Sequence, residues 1–346
     1  MKWGVFDHVD ADGREPALQY RDRVTYAEAL DRLGAYAYFV AEHHGTPLGL
    51  APSPNLLLAA VAARTQRIRL GALIHIAALY HPMRLAEEVC MLDHLSDGRL
   101  LLALGRGAVF LEQRLYDIDP ASVPARADEV RAILMQALTE GHVDHHGEHY
   151  TVDDFHMVLR PRQRPHPPLW YGLGSTGSAE WAADNGVNCV SLMPAAMSAR
   201  LFDAYRARWQ AAGKTGDMPL LGLNRHVVVA PTDAQARAIA ESAFLSWRAS
   251  FEHLWKVRGV PLPMKFPETW AEMEAGGNAV AGSPATVRDA LAAQRDTAGA
   301  TYFGCQLLFG TMPLADALVS AELLARKVMP ALQPSADEIM RPAAAA

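Results

Sequence analysis

Glu42-His43-His44 places three groups able to move or steer protons side by side, directly after the apolar run Ala37–Ala41. Imidazole titrates near neutral pH, and its neutral form both donates and accepts a hydrogen bond. A histidine pair alone is more often structural. Its place at the C-terminal end of a strand, the end that carries chemistry in a parallel barrel, makes His43 and His44 the candidate catalytic residues. A second motif, Gly172-Leu173-Gly174-Ser175-Thr176-Gly177-Ser178, matches G-x-G-x-x-G between an apolar run and a helical stretch. A dinucleotide site of that type needs a carboxylate at the end of the next strand to hold a ribose. That strand ends Ser191-Leu192-Met193-Pro194, so the dinucleotide reading fails. Free amides at a helix start still bind phosphate, and glycines let a ligand approach the backbone. A mononucleotide phosphate is therefore expected at Gly174, Ser175, Gly177 and Ser178. Gly105-Arg106-Gly107 can supply the cation, since a guanidinium offers phosphate a rigid fork of donors.

Other polar groups read as structure. Asp7, His8, His75, Asn224, Arg225 and His226 lie in or at the ends of strands, where buried polar groups are normally satisfied by neighbours. His142, His145, His146 and His149 fall in the polar stretch from Gly141 to Tyr150, which reads as a solvated hairpin. It carries no helical carboxylate–His–His motif, and no metal ligands are expected.

The elements that must position these residues alternate regularly. Apolar runs without alternation, as in parallel strands covered by helices, are Lys2–Phe6, Ala37–Ala41, Ile68–Ile74, Leu100–Leu104, Pro168–Gly172, Val187–Leu192, Leu221–Ala230 and Thr301–Phe309. Helical stretches follow them, among others Tyr26–Leu33, Pro54–Ala63, Pro82–Leu95, Arg126–Leu138, Asp233–Ser246 and Pro284–Ala298. About eight such units favour one closed (β/α)8 TIM barrel over residues 1–335, with a flexible tail over 336–346. Insertions are expected after strands 4 and 7, at residues 107–125 and 247–281, the second rich in aromatic residues. Such connections usually line or cover a barrel's active site. The stretch Leu56–Ala63 is apolar all round, where an outer barrel helix needs one buried stripe, so a homodimer contact is expected there.

Composition narrows the class. Half of the 346 residues are hydrophobic and 20% are charged, enough for a large core. Lys and Arg total 32 against 38 Asp and Glu, without the basic surplus of a nucleic-acid binder. Cys90, Cys189 and Cys305 are dispersed and form no CxxC pair. No apolar run reaches membrane-spanning length, and Asp7 and Asp10 come too early for a signal-peptide core, so a cytoplasmic setting is expected.

Several ordered segments resemble the bacterial luciferase-like monooxygenases: Phe39-Val40-Ala41-Glu42-His43-His44, Thr65-Gln66-Arg67-Ile68-Arg69-Leu70-Gly71, His81-Pro82-Met83-Arg84, Leu92-Asp93-His94-Leu95-Ser96-Asp97-Gly98-Arg99 and Gly105-Arg106-Gly107. Glu180-Trp181-Ala182-Ala183 and Gly282-Ser283-Pro284 continue the likeness, which is weakest across 107–125 and 247–281. The resemblance implies a barrel enzyme binding FMN, usually reduced FMN supplied by a separate NAD(P)H:flavin reductase. Oxygen adds at the flavin C4a position and the peroxyflavin oxidises a small organic substrate. It further implies that His43 serves catalysis, that Arg106, Ser175 and Ser178 hold the phosphate, and that Leu73-Ile74 takes the place of a non-prolyl cis peptide against the flavin ring. Gly105 stands where luciferase has a cysteine and Gly174 where it has a glutamate; the substrate-side loop residues do not match either, so light emission and a long-chain aldehyde substrate are not implied. Branches of the same superfamily use F420 for hydride transfer, and a non-catalytic flavin-binding protein is the alternative from another class.

Overall fold

Continuous apolar strands need cover on both faces, and the computed structural model, which describes residues 1–333, provides it with a barrel inside a ring of helices. The tail expected over 336–346 lies outside the described residues. Eight parallel strands form the barrel: Lys2–Asp7, Ala37–Val40, Arg69–Ala72, Leu102–Gly105, Leu169–Gly172, Asn188–Ser191, Leu221–Val229 and Tyr302–Gln306. The first strand pairs with both the second and the eighth. The ring closes between the third and fourth, where the Leu101 N–H donates to the Leu70 carbonyl at 2.8 Å and the Leu70 N–H to the Arg99 carbonyl at 3.1 Å. That approach needs a glycine, because a Cβ on Gly71 would strike the Leu101 carbonyl oxygen.

Side chains alternate between two cores. Phe6, Phe39, Leu73, Leu101, Trp170 and Tyr302 fill the barrel interior, whereas Val5, Tyr38, Leu70 and Leu102 pack outward under the helices. Tyr302 fits only because its neighbours are small: a Cβ on Gly222 would lie 2.6 Å from its ring, and one on Gly4 would strike its hydroxyl. The barrel is thus plugged, and chemistry is left to its mouth.

Helices Pro82–Leu95 and Pro284–Ala298 begin at their prolines and end where the sequence places them. Four elements differ. The first helix starts at Pro16, ten residues early. The helix expected to stop at Ser246 runs over Asp233–Val257, because no breaker intervenes before Gly259 and Trp247, Leu254 and Trp255 continue its buried stripe. The second insertion also holds a helix, Trp270–Ala275, and a short strand, Ala279–Gly282, pairing in parallel with the seventh barrel strand. The expected hairpin is present, as His142–His146 against Thr151–His156. Among the described residues no helix is long and apolar enough to cross a membrane.

Candidate active site

The strands that carry the expected site residues are consecutive neighbours around the barrel: the second with His43 and His44, the third with Leu73-Ile74, the fourth with Arg106, the fifth with Gly174 and Ser175. Their C-terminal ends form one arc. At one end of it the two histidines are held differently. His43 Nδ1 lies 2.9 Å from Glu112 Oε1. A carboxylate accepts and does not donate, so Nδ1 carries the proton and Nε2 is the nitrogen left over. His44 uses both nitrogens: Nε2 donates to Glu42 at 2.9 Å, and Nδ1 accepts from the Tyr116 hydroxyl at 2.7 Å. The His43 side chain keeps 19% of its surface against 8% for His44, so His43 is the more accessible of the pair. Glu42 ties the strands together, its second oxygen accepting from the Ile76 N–H and the Tyr80 hydroxyl.

Glu112 was not visible in the sequence as a site residue. It sits on a five-residue helix, Phe110–Arg114, inside the insertion after the fourth strand, where no periodicity marks it. A small separate core of Leu111, Leu254 and Trp255 holds that helix against the long helix of the second insertion. The one available signal was a carboxylate directly after the apolar pair Phe110-Leu111 in a loop that follows a barrel strand.

The far end of the arc has the features of an anion site. Ser175 caps the helix Thr176–Asp184 in a reciprocal box, its hydroxyl accepting from the Ser178 N–H at 3.2 Å while the Ser178 hydroxyl accepts from the Ser175 N–H at 3.1 Å. The hydroxyls are thus partly engaged in capping, which leaves the exposed amides of Thr176 and Gly177 in the first turn. A Cβ on Gly172, Gly174 or Gly177 would meet nothing, so the fold itself does not require these glycines. Gly105 is different: a Cβ there would strike the Ile74 side chain, which occupies that space. The Leu73–Ile74 peptide is cis. Arg106 is half-exposed and only 3.9 Å from Asp128, a loose pair. Arg131 is a second cation, missed in the sequence, bonded to Asp128 at 3.1 Å and stacked over Trp181. A cavity of about 210 Å³ behind the fourth and fifth strands is lined by Leu102, Leu104 and Trp181 together with Arg106 and Arg131. His43 does not line it, and its surroundings are defined by its hydrogen bonds and ring contacts instead.

Of the remaining polar groups, most are structural as expected. Asp7 accepts from Arg23, Tyr38 and the Val9 amide. His75 is held by the Ala103 carbonyl and Asn55, and Arg225 donates to Gln294 and to the Asn224 and Met193 carbonyls. Two depart from that expectation: Nε2 of His226 and Oδ1 of Asn224 have no partner among the described residues. Burial pushes His226 down to about 3, and burial followed by the neighbouring His43 pushes His8 well below its usual range. Both rings are neutral at physiological pH. His8 stacks on His43 at 5.5 Å and accepts from the Trp247 indole N–H. Trp247, Phe251 and Phe266 stack in turn, forming an aromatic wall from the second insertion beside the histidines.

A closed parallel barrel with a carboxylate-oriented histidine at one end of a strand-end arc, and a glycine-lined helix start beside arginine at the other, has the layout of an enzyme that works with a phosphorylated organic cofactor. The chain belongs to the luciferase-like monooxygenase family, whose model matches residues 1–302. An uncharacterised protein of Sinorhizobium fredii is 42% identical over 330 residues, 95% of this chain and 96% of that protein. The oxygenase component of a flavin-dependent trigonelline monooxygenase from Acinetobacter baylyi is 29% identical over 69% of this chain and 68% of its own length. Monooxygenase RslO1 from Streptomyces bottropensis superposes with a TM-score of 0.87 at 25% identity, covering 95% of this chain and 99% of that one. The same fold recurs in the FMN complex of the oxygenating constituent of 3,6-diketocamphane monooxygenase from Pseudomonas putida (TM-score 0.81, 19% identity, 96% and 98% covered). It recurs also in an F420-dependent secondary alcohol dehydrogenase (TM-score 0.71, 16% identity, 96% and 99% covered).

Proposed function

We propose that the protein is a flavin monooxygenase, using reduced FMN and O2 to place one oxygen atom into a small organic substrate. The observation that carries this reading is the pairing of His43, oriented by Glu112, with a phosphate-suited rim on the same arc of strand ends. Four neighbouring strands put roughly 14 Å between the two ends of that arc, room for a flavin ring and its ribityl phosphate laid end to end. The residues present fit the group. The Thr176 and Gly177 amides, the uncrowded glycines Gly174 and Gly177, the Ser175 and Ser178 turn, and the weakly paired Arg106 suit a phosphate dianion. Arg131 adds a second cation nearby. Leu73 and Ile74, at the third strand end, would face the ring. Reduced flavin bound there would supply the electrons that activate oxygen. His43 Nε2 then takes or returns a proton at the reacting centre, Glu112 holds the imidazole in one tautomer, and His44 with Glu42 fixes the strand end beneath it. The aromatic wall of Trp247 and Phe251 excludes water and favours an apolar or aromatic substrate. The name of the Acinetobacter relative, an oxygenase component, supports supply of reduced flavin by a separate reductase.

The test is an anaerobic titration with reduced FMN, reduced riboflavin and reduced F420, followed by mixing with oxygen. Tight FMN binding and a delayed return of oxidised-flavin absorbance are expected; preference for F420 would replace this reading with the deazaflavin one. Arg106→Ala should weaken FMN by about 1.5–3 kcal/mol, the usual worth of a hydrogen bond to a charged group, and leave riboflavin nearly untouched. Equal losses for both flavins would remove Arg106 as the phosphate anchor.

A further inference from the structure

The hairpin that precedes the fifth barrel strand brings together residues that are distant in sequence. His142 and His156 are direct cross-strand partners, with ring centroids 4.4 Å apart and planes inclined by 25°. Asp154 lies two residues before His156, at a shift in the register where its φ is +42°, and this local turn brings its carboxylate to His142. His142 Nε2 is 2.8 Å from Asp154 Oδ1, and His156 Nε2 is 3.9 Å from the same oxygen. All three ligand-capable atoms fall within 4.8 Å of one another, the only such group among the described residues. We propose that His142, Asp154 and His156 form a surface site for one divalent transition-metal ion of the zinc, cobalt or nickel class.

The geometry is close to what such an ion requires. With bonds of about 2.0–2.1 Å, tetrahedral ligand atoms sit roughly 3.3 Å apart, so a rotamer adjustment of His156 completes the set. The three side chains keep 39%, 82% and 75% of their surface, which leaves them free to adjust and leaves the fourth position to water. Two imidazoles with one carboxylate select a borderline ion over calcium or magnesium, which take oxygen ligands. The other histidines of the hairpin lack this arrangement. His146 meets only carboxylates, Asp144 at 3.4 Å and Asp153 at 3.5 Å, and His145 faces Glu129 alone. The polar stretch Gly141 to Tyr150 read as free of metal because the register that brings Asp154 and His156 across to His142 lies beyond it. The site is at the base of the hairpin, beside Gly141 and the Arg160 side chain that caps the helix Val123–Thr139. That helix runs back from the barrel mouth, so the ion would staple a two-stranded ribbon, a unit with little stability of its own, and take no part at His43.

Calorimetric titration of the untagged protein with zinc chloride tests the assignment, with cobalt(II) absorbance reporting on the coordination. One saturable equivalent is expected. Loss of outer-shell partners of a metal ligand already costs about 10–100-fold in affinity, so His156→Ala and Asp154→Ala should each weaken binding by at least about 100-fold. His146→Ala should leave it intact, and zinc should slow amide exchange in the hairpin of wild type and His146→Ala but not of the His156 and Asp154 variants. All three positions are exposed, and thermal unfolding will verify that the variants fold. Absence of saturable binding, or a loss in His146→Ala equal to that in His156→Ala, would overturn the site.

Discussion

Glu112→Gln isolates what orients the proton-transfer group. The wild-type carboxylate accepts from His43 Nδ1 at 2.9 Å, and the same oxygen accepts from the His44 backbone N–H at 3.2 Å. Glutamine keeps the size and one acceptor but loses the charge, and it can turn its amide nitrogen toward the imidazole and reverse the tautomer. A hydrogen bond to a charged group is worth about 1.5–3 kcal/mol. If that stabilisation is expressed in the step His43 serves, the rate falls by about 10- to 150-fold. The proposed phosphate anchors lie on the fourth and fifth strands, so FMN affinity should hold. Stopped-flow mixing of the reduced-FMN complex with oxygen gives the rate, and fluorescence titration gives the affinity. His43→Ala, which removes the general acid or base altogether, should cost about 10²–10⁴-fold in the same assay. Glu112→Ala is the less informative change, since it strands the His44 amide in a buried place and adds about 1–3 kcal/mol of instability. Unchanged kinetics in a folded Glu112→Gln protein, or a loss of FMN affinity as large as the loss in rate, would refute the orienting role.

Three more outcomes follow from the geometry. Burial pushes the Asp10 carboxyl up to about 7, against the pull of Arg23 and the Gly310 amide. The folded state therefore keeps a proton that the unfolded chain releases, so this contribution to stability declines from the ordinary carboxyl range up to about pH 7 and is flat above it. Asp10→Asn should remove that decline and raise the melting temperature above about pH 7; an unchanged pH profile of thermal unfolding counts against it. Leu56, Met91 and Leu95 are exposed on the adjacent helices Pro54–Ala62 and Pro82–Leu95, so Leu56→Lys should shift a homodimer toward monomer in sedimentation equilibrium, and a monomeric wild type would dismiss the interface. Gly174→Ala meets no protein atom, so it should leave thermal unfolding unchanged yet weaken FMN by about 1.5–3 kcal/mol if the backbone there approaches phosphate, whereas unaltered affinity would place the phosphate elsewhere.

How much of this was legible in the chain depends on whether a feature is local. The barrel strands are continuous apolar runs and the helix starts carry prolines, so each announces itself within a few residues, and their number selects the closed barrel. Much of the ordered likeness to the family turns out to be architecture. Arg99 donates to the carbonyls of Ala62, Thr65 and Ile68, closing the end of one helix onto the third strand. Asp93 accepts from the Gln163 backbone and side chain, and Asp31 from the amides of Gln66, Arg67 and Ile68. Charged residues spent on backbone groups in this way fix the entries of the third and fourth strands, leaving the opposite, C-terminal ends for chemistry. His43 and Arg106 stand out in the sequence as candidates because strand ends can be counted from it. Glu112 and Arg131 do not, because Glu112 meets His43, and Arg131 meets Trp181, across gaps whose width is set by tertiary packing. Glu112 is brought to His43 by Leu111 seated against Leu254 and Trp255, residues about 140 positions further on. A contact of that kind has no period, cap or spacing to betray it. The part of a barrel's site that lies on inserted loops is therefore written in the packing of those loops, and the part on strand ends in the alternation of the chain.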